Sequence, residues 1–156
     1  MADSNLGIDL GGTKIMGLVV GTDNKVLARE KVKTKLSHGF EEVCDQIRSL
    51  ANKVLESADV PWSEIKGIGI AVPTSIDPET GEGLHAPNLA WKNRPLRATL
   101  TKLFEREIYL ENDANCGILG EFRIGAGAGR KSVVGYFVGT GLGGGIIVDG
   151  KLLRGK

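Results

Sequence analysis

An excess of either charge is missing from this chain: 20 basic residues face 19 acidic ones, for a formal net charge of +1 over 156 residues. Without a polycation face there is nothing to neutralise a nucleic-acid backbone, so nucleic acid is not an expected partner. Long apolar runs are missing too. None approaches the roughly 20 residues that a membrane helix needs, and Met1-Ala2-Asp3-Ser4-Asn5 has neither the basic segment nor the apolar stretch of a signal peptide. No membrane association and a cytoplasmic location are therefore expected. Cysteine and histidine are scarce. Cys44 and Cys116 lack C-x-x-C spacing, and with two histidines they supply neither a zinc cluster nor a disulfide framework. Both cysteines read as small buried hydrophobes. What is present is ordinary: 41% hydrophobic and 25% charged residues describe a globular chain, not a disordered or coiled-coil one. The length suits one sizeable core and is too short for two full domains.

Asn5 to Leu10, Lys14 to Gly21 and Val26 to Lys33 read as successive strands, separated by Gly11-Gly12-Thr13 and Thr22-Asp23-Asn24. Connections this short imply an antiparallel meander. From Phe40 to Ala58 the apolar residues recur at three- and four-residue steps, predicting a helix with Ser37 as its N-cap, Glu41 and Glu42 in its first turn and Pro61 beyond its end. Ile65 to Val72 suits a buried strand, and Pro73 to Pro95 then loses all periodicity and reads as a functional loop. A helix marked by Leu96, Leu100, Leu103 and Phe104 follows, then a short strand at Ile108 to Leu110. A third helix carries Ala114, Ile118 and Phe122, with Gly117 and Gly120 suggesting close packing. After the break at Gly125 to Gly129, Ser132 to Val138 and Gly145 to Val148 predict a hairpin ending in Asp149-Gly150. Interleaved helices and strands argue for an α/β layered domain. The expected division is a lobe over 1–129 and the start of a second over 130–156.

Three segments carry chemistry. In Gly7-Ile-Asp9-Leu-Gly11-Gly12-Thr13-Lys14 a strand delivers a carboxylate, and two glycines then turn the chain so that backbone N–H groups can face an anion. Asp9 suits a hydrated Mg²⁺, Thr13 adds a hydroxyl and Lys14 a cation, as a nucleotide phosphate site requires. It is not a Walker A loop, because a strand continues where that motif needs a helix. A plain glycine-rich hairpin turn accounts for the same residues. Gly139-Thr140-Gly141-Leu142-Gly143-Gly144-Gly145 contains a G-x-G-x-x-G match, but it opens a strand and so is not a Rossmann fingerprint. Paired with the first segment, it can clasp the phosphates of one nucleotide from the other side. In Glu111-Asn112-Asp113-Ala114-Asn115 a strand ends and a helix begins, which makes Asp113 a candidate general base. Simple capping by Asn112 or Asp113 is the alternative. Between these segments, Pro87-Asn88-Leu89-Ala90-Trp91 joins an amide able to bridge two hydroxyls to an aromatic face suited to a sugar ring, with His85 close by as a pocket-lining or merely exposed residue.

Taken together and in order, Asp9 to Lys14, Pro87 to Trp91, Glu111 to Asn115 and Gly139 to Gly145 resemble the ROK family (repressor, open reading frame, kinase), and most closely its bacterial-type glucokinase branch, over essentially the whole chain. The resemblance implies a ribonuclease-H-like lobe of the actin/hexokinase-type ATPases, binding ATP and Mg²⁺ between two lobes and phosphorylating glucose at its 6-hydroxyl. By the same likeness Asp113 is the catalytic base and a glucose ligand with Asn88 and Asn112. Gly11, Gly12, Thr13 and Lys14 with Gly139, Thr140 and Gly141 form the phosphate motifs. A homo-oligomer at full length is implied, as is a structural zinc whose ligands are absent from this chain. Two departures bear on these expectations. Thr74 follows Pro73 where the family usually has glycine, and a side chain there would narrow or reshape the sugar pocket. The chain also ends at Lys156, before the family's Glu-x-Gly-His and cysteine-rich motifs, so the isolated chain is expected to be inactive, with exposed edges at the last hairpin inviting dimerisation. Kinases for another hexose or an amino sugar, and sugar-sensing regulators, are the alternatives; regulators of the family carry a helix-turn-helix segment ahead of the first strand, where only a few residues precede Leu6 here.

Overall fold

A computed structural model describes residues 3–138 and 142–154. Strands β1 (Ser4–Leu10), β2 (Lys14–Gly21) and β3 (Val26–Lys33) form the expected antiparallel meander. Helix α1 (Gly39–Ala58) leads to β4 (Ile65–Val72), which returns parallel to β1. With β7 (Tyr109–Asn112) on the far side of β4, the sheet order is β3-β2-β1-β4-β7. This is the ribonuclease-H-like lobe that the family resemblance implies, three antiparallel strands followed by alternating helices and strands.

The core follows from two periods meeting. Leu6, Ile8 and Leu10 of β1 and Ile15 and Val19 of β2 point to one face of the sheet, and Ile47, Leu50, Ala51 and Val54 of α1 lie at helical spacing against it. Each fully buried aliphatic side chain contributes about 1.5–3 kcal/mol before the loss of chain entropy is subtracted. Gly17 lets the helix come close: a Cβ there would sit 3.3 Å from Leu50 Cγ. Ser37 lies inside a 3₁₀ turn, Leu36–His38, that leads into α1, so the helix starts later than a Ser37 cap would require.

The segment from Pro73 to Pro95 is a correction to the sequence reading. It contains a hairpin, β5 (Gly83–Ala86) and β6 (Trp91–Arg94), around a 3₁₀ turn at Pro87–Leu89, and leads into α2 (Leu96–Phe104). Four-residue strands are too short to establish an alternation, and Pro87 breaks what pattern there is. Helix α3 (Asp113–Ile124), β8 (Val133–Val138), β9 (Leu142–Val148) and β10 (Lys151–Leu152) complete the chain, the last three as a sheet of order β10-β9-β8. Two compact units result, one running to Glu111 and the other starting at Asn112, and the expected boundary at 129–130 falls within the second. Among the described residues no helix is long and apolar enough to cross a membrane.

Cys44 sits at 1% exposure in the α1 face, whereas Cys116 is half-buried, so only the first is the buried hydrophobe expected of both. Burial pushes the Cys44 thiol from 9.0 up to about 12, and the neighbouring Asp45 and Glu41 add repulsion. Because the folded value is raised, the thiol's contribution to stability is intact below pH 9.0 and is lost as pH climbs toward about 12. Iodoacetamide at about pH 8.5, near the ordinary thiol value, is therefore expected to label Cys44 only after denaturant unfolds the chain. Native labelling of Cys44 as fast as that of Cys116, read by mass spectrometry, would show that this face is not packed.

Candidate functional site

Alternation along β1 fixes the first site residue. Ile8 and Leu10 enter the core, so Asp9 must lie on the opposite face, half-buried and in register with Met16 on one side and Ala71 on the other. Beyond Leu10 the chain turns through Gly11, Gly12 and Thr13. Gly11 N donates to Lys14 O at 2.9 Å, Thr34 Oγ1 donates to Gly11 O at 2.7 Å, and Thr34 N donates to Thr13 O at 2.9 Å. These bonds pin the turn to the residue that follows β3. A turn with two successive glycines can present backbone N–H groups to an anion. Thr13 and Lys14 are exposed.

Gly12 brings in the second segment. A Cβ at Gly12 would lie 2.8 Å from the backbone oxygen of Asn88 and 3.3 Å from its Cβ, so the phosphate-type turn rests directly on Asn88. Asn88 is exposed in the middle of the 3₁₀ turn, whose flanks are anchored by buried Ala86, Leu89 and Trp91. Trp91 is a correction. It is only 4% exposed and packs edge-on against Phe40 with ring centroids 4.9 Å apart, so it is a core residue and not a platform for a sugar ring. His85 is exposed, and its backbone N donates to Thr74 Oγ1 at 3.1 Å. In the sequence Thr74 stands out only as a departure from the family pattern, yet its buried hydroxyl joins the exit of β4 to β5.

In the second unit Asn112 is the cap of α3: its Oδ1 accepts from Ala114 N at 3.0 Å and Asn115 N at 3.2 Å. Asp113 is the first helical residue, exposed, and its Oδ1 accepts from Ala114 N at 2.8 Å. Capping is thus carried chiefly by Asn112, leaving Asp113 a second carboxylate oxygen. Packing explains Gly145, the last glycine of the second predicted phosphate motif, and two glycines outside it. A Cβ at Gly145 or at Gly135 would drive into the Ile118 side chain, and one at Gly117 would lie 2.6 Å from the Phe137 ring. Gly120, by contrast, has nothing within 4 Å. Gly139, Thr140 and Gly141 lie outside the described residues. Among the described residues no group of three or more His, Cys, Asp or Glu side chains could hold a metal ion directly; Asp9 remains the candidate for a water-mediated contact.

Among known proteins, a family model described as the ROK family matches residues 5–156. The glucokinase of Thermotoga maritima is 40% identical over 152 residues, covering 97% of this chain and 46% of its own length. The xylose repressor of Caldicellulosiruptor bescii is 38% identical, covering 97% and 38%. The crystal structure of a ROK family glucokinase from Streptomyces griseus with glucose and AMPPNP superimposes with a TM-score of 0.88 at 35% identity, covering 98% of this chain and 47% of that one. The chain spans less than half the length of these relatives.

Removing the cap tests how the start of α3 is held. Asn112→Ala is expected to cost about 1 kcal/mol of stability in urea denaturation, and Asn112→Asp to keep most of it. Equal losses in both variants would show that the cap bonds do not hold the helix start.

Proposed function

The chain belongs to the ROK family, and from that premise we propose that it supplies the phosphate-binding turn, a sugar-binding amide and the general base of an ATP-dependent kinase acting on the 6-hydroxyl of glucose. The observation that carries the reading is the packing of Gly12 on Asn88, which joins a turn suited to phosphate to an amide suited to sugar hydroxyls within one compact unit. The glucokinases of Thermotoga maritima and Streptomyces griseus, the latter with glucose and AMPPNP bound, support glucose as the acceptor and ATP as the donor.

In this reading the N–H groups of Gly12 and Thr13 and the ammonium of Lys14 receive phosphate oxygens, as Gly11 sets the turn; Gly139, Thr140 and Gly141 serve the same purpose in the second motif. Asp9 would be the residue that holds Mg²⁺, and the ion, when bound, would supply charge neutralisation on the phosphates. Asn88 and Asn112 orient sugar hydroxyls. The Asp113 carboxylate accepts the proton of the 6-hydroxyl as its oxygen bonds to the terminal phosphorus and the bond to the ADP oxygen breaks. Catalysis by these groups is mainly positioning and charge placement.

A sugar-responsive regulator is the second reading, favoured by the 38% identity to the xylose repressor of Caldicellulosiruptor bescii. Both readings are separated by assaying the complete protein with ATP and Mg²⁺ over a panel of hexoses and amino sugars. Turnover is expected with glucose, and Asp113→Asn is expected to lower kcat by about 10²–10⁴-fold with a sugar KM within a few fold of the parent. Turnover of the variant within a few fold of the parent would remove Asp113 from the role of base. A parent that binds sugar without phosphorylating any would favour the regulator.

A further inference from the structure

Thr74 is 4% exposed, and its hydroxyl sits where the exit of β4 meets β5. Its Oγ1 accepts from His85 N at 3.1 Å and donates to Ser75 O at 3.2 Å, while its own N donates to Val72 O at 2.9 Å. The methyl is equally engaged: Cγ2 lies 3.4 Å from where a Cβ on Gly83 would stand. Leu84 N donates to Ser75 O at 2.9 Å and Ile76 bridges Gly83, so the Thr74 bond extends a short ladder between the exit of β4 and β5 by one further rung, made by a side chain.

That rung has a mechanical consequence. β5 runs from Gly83 to Ala86, directly into the 3₁₀ turn with Asn88, and the backbone oxygen of Asn88 bears on Gly12. Leu89 and Trp91 hold the far side of the turn in the core and Ala86 anchors the near side, while Leu84 and His85 before it are exposed. Besides Ala86 and the pairing with β6, the backbone bonds of Leu84 and His85 tie this strand to the β4 exit. We propose that Thr74 is a positioning residue for Asn88: its hydroxyl fixes the near strand of the hairpin, and through it the placement of the Asn88 amide against the phosphate turn. The inference rests on the kinase reading above, in which Asn88 orients the sugar.

Thr74→Val removes the hydroxyl at nearly constant volume, and Thr74→Ser keeps it. In the complete protein, Thr74→Val is expected to raise the sugar KM about three- to ten-fold, the range of one neutral hydrogen bond, with kcat and the ATP KM within about two-fold of the parent. Thr74→Ser is expected to restore the sugar KM. Amide hydrogen exchange at His85, which requires no activity, is expected to quicken roughly ten-fold in Thr74→Val and not in Thr74→Ser. Quickened exchange with an unchanged sugar KM would show that the rung exists but does not position Asn88, and would overturn the proposal. Unchanged exchange would overturn it at the rung itself. If the parent phosphorylates no sugar, the kinase reading fails first, and the positioning role falls with it.

Discussion

The pairing of β1 on both sides is the constraint on which the first unit depends. β1 is bonded to β2 antiparallel and to β4 parallel, and its alternate residues Leu6, Ile8 and Leu10 are locked under α1. A strand held at both edges and on one face cannot slip by one residue without moving its apolar side chains into water. Asp9 is therefore delivered to the other face at the strand's end, and the turn that follows begins from a fixed point. The kinase reading proposed above needs this rigidity, since phosphoryl transfer is catalysed mainly by positioning and charge placement.

Much of this is legible in the sequence because it is periodic. β2, β3 and β4 have the bounds read from the sequence, and α1 differs by one residue at its start. Where the fold is built from short pieces the signal fails: β5 and β6 are four residues each, and their anchoring residues, Ala86, Leu89 and Trp91, show neither a two-residue alternation nor a helical stripe. Trp91 misleads for a related reason. An aromatic beside an amide in a loop has the chemistry of a sugar platform, and only the presence of Phe40 against it decides that the ring is used for packing. The pairing of Gly12 with Asn88 is hidden as well, because nothing local to either residue announces a contact across that much chain.

The glycine-rich stretch near the end of the chain shows how one composition can serve two purposes. Gly135 and Gly145 are in register on β8 and β9, and both leave room for the same side chain, Ile118 of α3. Any larger residue at either position would drive into Ile118, so these glycines let α3 lie close on the hairpin. The helix that they admit is the one whose first residue is Asp113 and whose cap is Asn112. Its start is thus held twice, by the Asn112 bonds at its end and by the close packing of its middle. A carboxylate at such a start has a defined position without being buried, since it is exposed and yet fixed in direction by Ala114 N. The last glycine of the second glycine-rich motif, Gly145, therefore takes a structural reading of its own, because the packing of Ile118 of α3 leaves no room for a side chain there.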